Sequence, residues 1–151
     1  MDGTVKVNSS IKHPVAVVVA ALLACAGCRS ERPSTVPVSG RVTFDGDAPP
    51  TAGRLYFRID PPPPGFPPRP TVATFDRWGH FHVATPEGRN GLAPGRYTIT
   101  VECWETPPKK DGPPSRSYVP HHYQCPTCTD LVVDIGPDER SRFLELDVVR
   151  H

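Results

Sequence analysis

The reactive side chains of this sequence concentrate in one short segment, His-His-Tyr-Gln-Cys-Pro-Thr-Cys, which covers residues 121–128. Thiolate and imidazole groups both bind zinc and copper, so His121, His122, Cys125 and Cys128 are candidate metal ligands. A structural zinc site usually has four protein ligands, and this segment supplies them only if the loop folds back on itself. The Cys-x-x-Cys spacing also suits a disulfide or a thiol-active site.

Three cysteines lie beyond residue 28, so at least one thiol stays free or pairs with another chain. Cys103 has the inward parity of a predicted strand, where an unpaired cysteine behaves as a small hydrophobic side chain. We therefore expect a Cys125–Cys128 disulfide and a buried Cys103, and we favour this disulfide over a metal site. The alternative joins Cys103 to one member of the pair, which stabilises more because it closes a loop of over 20 residues.

Other polar residues give no catalytic pattern. His80 and His82 share one face of a predicted strand, where exposure to solvent is preferred over a two-histidine metal site. The carboxylate pair Asp45 and Asp47 falls in a predicted turn, and the chain lacks G-x-S-x-G, H-E-x-x-H and phosphate-binding loop motifs. We therefore predict a protein without catalytic residues or cofactors.

Three aromatic residues suggest a second kind of binding. Tyr56, Trp78 and Trp104 fall on turns, strand ends or outward-facing strand positions. Exposed aromatic rings of this kind can contact a carbohydrate, so a carbohydrate-binding surface is a further alternative.

The first 27 residues predict a signal peptide. Lys6 and Lys12 precede an apolar run over residues 15–26, whose 12 residues are fewer than the roughly 20 needed to span a bilayer. The run ends in Ala26-Gly27-Cys28, which resembles the lipobox of bacterial lipoproteins. That resemblance implies acylation of Cys28, whereas the alternative frame that ends at Cys25 would place the lipid there. Two or three acyl chains anchor a protein stably to a membrane.

The charge balance argues against nucleic acid as a partner. The chain carries 17 basic and 16 acidic side chains, and removal of the signal peptide leaves 15 of each. A nucleic-acid-binding protein would need a basic surface. We expect a protein of the bacterial cell envelope that is held by its lipid, with envelope proteins or glycans as partners. Arg29 follows Cys28 where an inner-membrane retention signal has Asp, which favours the outer membrane.

The remainder of the chain is predicted to form a tether followed by an all-β domain. Residues 28–37 are polar and contain proline, as in a tether, and proline reaches 21 residues in the whole chain, which excludes a helical bundle. Apolar and polar residues then alternate with period two in seven segments. This pattern predicts a seven-stranded antiparallel β-sandwich over residues 38–151. The predicted strands cover residues 38–44, 54–59, 71–75, 80–84, 97–103, 131–135 and 144–148.

Four segments, taken in order, resemble motifs of carboxypeptidase regulatory-like domains. Residues 38–46 resemble V-x-G-x-V-T-x-x-G, and residues 74–81 resemble T-D-x-x-G-x-F. Residues 91–101 resemble G-L-x-P-G-x-Y-x-V-x-V, and residues 118–123 resemble the (I/V)-P-x-x-Y segment of short bacterial lipoproteins. The resemblance implies a transthyretin-like or prealbumin-like sandwich with immunoglobulin-like architecture. It also implies an accessory role without catalysis, hence a non-enzymatic structural or protein-binding module.

Overall fold

The fold is described by a computed structural model that covers residues 34–62, 64, 69–84, 88 and 90–150. The predicted signal peptide, Cys25 and Cys28 lie outside the described residues. The described residues form seven strands and one helical turn. These elements are β1 (Val38–Phe44), β2 (Gly53–Ile59), β3 (Thr71–Phe75), β4 (His80–His82), β5 (Gly95–Glu102), α1 (His121–Gln124), β6 (Val132–Ile135) and β7 (Arg142–Val148).

The strands form one mixed sheet in the order β6-β5-β2-β3-β4-β1-β7. The all-β class and the seven strands are as expected, but the antiparallel sandwich is not what the structure shows. β7 runs parallel to β1, with Val38 opposite Arg142 and Phe44 opposite Val148. A single sheet curls into a nearly closed barrel, and no ladder joins β6 to β7 within the described residues. Alternation with period two fixes which side chains face inward, and it carries no information about strand direction.

The core lies on the concave side of this sheet. Leu55 and Phe57 of β2 face Ile99 and Val101 of β5 across paired positions, and all four side chains are buried. The rings of Phe57 and Phe81 lie 6.2 Å apart between centroids, a tilted aromatic contact. The alternation that predicted strands therefore also gives the apolar face that forms the hydrophobic core.

A tight turn joins β3 to β4. The Asp76 carboxylate accepts hydrogen bonds from the backbone N–H groups of Trp78 and His80, both at 2.9 Å. Gly79 has a φ of 87°, and a Cβ there would overlap the carbonyl group of Val42. This turn therefore requires glycine for its conformation and for the close approach of β1.

The ends of the sheet hold two further contacts. Val36, which was predicted to belong to the tether, is buried and pairs with Leu92, so the domain begins before β1. Tyr123 of α1 is buried, and its hydroxyl accepts a hydrogen bond from the Val149 N–H at 3.4 Å. Among the described residues, no helix has the length and apolar composition needed to span a bilayer.

Candidate functional site

The segment rich in histidine and cysteine forms α1 and the turn after it. Cys125 and Cys128 lie at disulfide distance, with their Cα atoms 5.2 Å apart. The Cys125 carbonyl accepts hydrogen bonds from the N–H groups of Cys128 and Thr129, both at 3.1 Å. Gln124 donates to the Val119 carbonyl at 2.6 Å and so holds the start of the turn. The two cysteines therefore lie at the distance of a disulfide on a short, hydrogen-bonded turn, which fits the expected Cys125–Cys128 pairing.

The histidines of this segment face solvent. His122 Nε2 lies 3.2 Å from an Asp130 carboxylate oxygen, and both side chains are exposed. His121 is exposed at the first position of α1. Within the described part of the chain, no group of three or more His, Cys, Asp or Glu side chains is placed to hold a metal. The geometry described here therefore gives the metal-binding alternative no support.

Cys103 directly follows β5, is buried and carries a free thiol. Its Sγ lies 3.5 Å from the Thr51 carbonyl, to which it donates. Burial raises the pKa of the Cys103 thiol, although the Thr51 carbonyl and the charge of Arg150 act in the opposite direction. The thiolate, which is the nucleophilic form, is thus disfavoured at this position.

A different region has the shape of a binding site. The convex side of β2 and β5 carries two adjoining concavities of about 590 and 190 Å³, both lined by Tyr56 and Glu102. We call the combined feature the outer-face groove. Its principal polar and aromatic side chains are Arg54, Tyr56, Arg58, Thr100, Glu102 and Trp104.

The period of the two strands brings these side chains together. Arg54, Tyr56 and Arg58 are alternate residues of β2, so they share the face opposite to Leu55 and Phe57. In the antiparallel register Arg54 lies opposite Glu102, and Tyr56 lies opposite Thr100. Neighbouring side chains on one face of such a pair are in contact range. The groove floor is thus a direct product of strand pairing.

A hydrogen bond fixes the centre of the groove. The Tyr56 hydroxyl donates to Glu102 Oε2 at 2.8 Å. Burial raises the pKa of Tyr56, and the hydrogen bond and charge of Glu102 act in the same direction. The tyrosine therefore stays protonated at neutral pH, with its ring held against β5.

Proline-rich loops form the walls of the groove. Pro107 and Pro108 line the larger concavity, whereas Pro70 and Pro126 line the smaller one. The loop that follows β5 is pinned at its base. Trp104 pairs with Ser117 there, and Glu105 N–H donates to the Arg116 carbonyl at 3.0 Å. The loop after β5 thus returns to the sheet and positions Trp104 at the groove.

The structure brings together two of the three aromatic residues singled out from the sequence. Tyr56 and Trp104 line the same concavity, but Trp78 lies in the β3–β4 turn and is 52% exposed. The Arg77 guanidinium lies 4.2 Å from the centre of the Trp78 ring, a cation–π contact. His80 and His82 face outward on β4, as their spacing predicted.

Sequence reasoning missed the charged members of the groove. Arg54, Arg58 and Glu102 occupy polar positions of predicted strands, where a solvated side chain is the ordinary interpretation. Because these residues alternate with apolar ones along each strand, the sequence could have indicated that Arg54 and Arg58 lie on the same face of β2. The pairing of β2 with β5 was not visible in the sequence, because the strands are separated by β3 and β4.

Comparisons with protein-family models, with curated proteins and with solved structures find no match to this chain.

Proposed function

We propose that the protein is a non-enzymatic binding module of the bacterial cell envelope, anchored by an acylated Cys28, with the outer-face groove as its binding site. One observation carries the binding role: Tyr56 and Trp104 line one concavity of about 590 Å³ together with Arg54 and Glu102. Small-ligand sites are commonly concave, of this size, and lined by aromatic groups with a few polar groups. The anchor rests on the lipobox-like Ala26-Gly27-Cys28.

A saccharide is the ligand class that this lining favours. The apolar faces of sugar rings suit aromatic side chains, whereas their hydroxyl groups need hydrogen-bonding partners. Glu102 and Thr74 offer such partners beside Trp104 in the larger concavity. The carbohydrate-binding alternative from the sequence thus becomes the preferred description of the ligand.

A protein partner is the second candidate. Phe143 lies on β7, an edge strand of the sheet, and is 62% exposed. An exposed edge strand can pair with a strand of another protein, and a large apolar side chain there adds contact area. Phe143→Ser would lower the affinity for such a partner and leave saccharide binding unchanged.

The anchor is tested by fractionation of cells that produce the full-length protein. Cys28→Ser should remove the protein from the membrane fraction, because the acyl acceptor is lost, and the lipoprotein signal peptidase inhibitor globomycin should block processing of the wild type. Cys25→Ser is the matched control and should stay in the membrane fraction. A Cys28→Ser variant that fractionates like the wild type would contradict the proposed anchor.

The binding site is tested on a glycan array with the full-length protein in detergent. The wild type should bind a subset of glycans, and Tyr56→Ala and Trp104→Ala should each lose that binding. Trp78→Ala serves as the matched aromatic control and should bind as the wild type does. Equal binding by all four proteins would place any saccharide site elsewhere.

A further inference from the structure

Two arginines flank the aromatic centre of the outer-face groove. Arg54 and Arg58 are exposed and lie on either side of Tyr56 along β2. Four residues of extended strand separate Cα atoms by about 13 Å, at roughly 3.3 Å per residue. Cationic groups at this separation can contact two different positions of an extended chain that lies along β2.

The charges in the groove are not balanced. The Glu102 carboxylate accepts the hydrogen bond from the Tyr56 hydroxyl, so it already has a partner within the groove. Arg58 lies opposite Thr98, and it forms no ion pair with any other described residue. The smaller concavity, which Arg58 lines, therefore has a guanidinium group available for an anionic ligand.

We propose that the outer-face groove binds a saccharide chain that carries carboxylate groups, with Arg58 as the residue that pairs with a carboxylate. This inference rests on the proposed saccharide-binding function and adds the charge of the ligand. A guanidinium group forms two parallel hydrogen bonds with a carboxylate, so it discriminates in favour of acidic sugars. Tyr56 and Trp104 supply the stacking surfaces, and Arg54 contributes a second cation beside Glu102.

A proline-rich peptide is the competing ligand, since aromatic grooves also bind such peptides. The observations favour the saccharide for two reasons. The Glu102 carboxylate only accepts hydrogen bonds, and a polyproline helix has no N–H group to donate to it, whereas a sugar has hydroxyl groups. The Arg58 guanidinium group, which has no ion-pair partner among the described residues, would find no anionic group on a polyproline chain.

The test is calorimetric titration of the full-length protein in detergent with a short oligogalacturonate and with its methyl ester. The two ligands share a backbone and differ in charge. The acid should bind at least about tenfold more tightly than the ester, which corresponds to loss of a charge-assisted hydrogen-bonded pair. Arg58→Gln should remove this preference by lowering the affinity for the acid to about that for the ester, and Arg58→Lys should restore part of the preference.

Arg96→Gln is the matched control, because Arg96 lies on the outer side of β5, pairs with Asp134 at 3.8 Å and does not line the groove. It should keep the wild-type preference. Equal binding of acid and ester would overturn the inference about charge and leave the saccharide site in place. No binding of either ligand, or tighter binding of a polyproline peptide, would overturn the saccharide site as well. Polyglutamate that binds as tightly as the acid would show attraction to polyanions in general and would also overturn the inference.

Discussion

The two faces of β2 and β5 serve opposite purposes. The concave face carries Leu55, Phe57, Ile99 and Val101, which are buried almost completely. The convex face carries the residues that alternate with these four along the two strands. They are arginine, tyrosine, threonine and glutamate, and their side chains line the groove. One stretch of backbone thus supplies both the core and the candidate site, and a shift of one residue in register would exchange them.

The contrast shows where sequence change is restricted. Substitutions on the concave face alter packing and hydrophobic burial, so they change the free energy of unfolding. Substitutions on the convex face alter groups that already contact water, so they change binding more than stability. Mutations at adjacent positions of one strand should therefore alternate between those that lower stability and those that weaken binding.

The largest expected effect follows from Phe57→Ala. This ring of β2 is buried and packs against the ring of Phe81, so its removal leaves a cavity and should lower the free energy of unfolding by about 3–5 kcal/mol. Urea denaturation followed by circular dichroism measures the change. Val72→Ala, at a 42% exposed position of β3, is the control and should cost less than about 0.5 kcal/mol. Equal costs at the two positions would contradict the assignment of the faces.

The cysteines should give the next largest effect. A Cys125→Ser, Cys128→Ser double variant removes a bridge between residues three positions apart and should cost about 2 kcal/mol or less, because the closed loop is so short. Without reductant, denaturation should expose one additional alkylatable thiol, Cys103, and native protein should protect it. Peptide mapping that finds Cys103 in a disulfide would instead establish the alternative pairing.

Tyr97→Phe tests a hydroxyl on the concave face. The buried Tyr97 hydroxyl donates to the Ala93 carbonyl at 3.0 Å, so its loss should cost about 1 kcal/mol. Burial raises the pKa of Tyr97 to about 12, and the Ala93 carbonyl opposes this rise. Because the folded-state pKa exceeds the unfolded value of about 10, the contribution is complete below pH of about 10 and is lost as pH rises towards 12.

Denaturant titrations at several alkaline pH values check this sign. The difference in unfolding free energy between wild type and Tyr97→Phe should shrink as pH increases above about 10. A difference that stays constant over that range would mean that Tyr97 ionises as readily in the folded protein as in the unfolded chain.

The smallest effect on stability is expected for Tyr56→Phe. The Tyr56 hydroxyl donates to Glu102, but the pair lies on the convex face where water can replace it. The cost should be about 0.5 kcal/mol, below that of Tyr97→Phe, when both are measured by urea denaturation at neutral pH. A larger cost than for Tyr97→Phe would mean that the groove floor is part of the folding core.

The sequence predicts the faces of the strands better than their arrangement. The alternation around Phe81 correctly placed His80 and His82 outward, and the parity of Cys103 correctly placed it inward. Local alternation follows from the geometry of a strand, so it is visible in one segment. Local pattern could not show that β7 lies parallel to β1, because that contact joins residues about a hundred positions apart.

The candidate site was predictable only in part for the same reason. Tyr56 and Trp104 stood out as aromatic residues on their own, but their proximity depends on the pairing of β2 with β5 and on the loop that returns at Ser117. Trp78 carried the same sequence signal and lies in the β3–β4 turn instead. Residue type thus indicates which side chains could line a binding groove, and contacts between distant parts of the chain determine which of them do.

The tryptophans allow a direct test that the convex face of β2 and β5 is the binding face. The chain contains two tryptophans, so Trp78→Phe leaves Trp104 as the single indole reporter and Trp104→Phe leaves Trp78. Titration with oligogalacturonate should shift the fluorescence emission of the Trp78→Phe variant until the change saturates. The emission of the Trp104→Phe variant should not change. A saturable change in the Trp104→Phe variant alone would contradict the account.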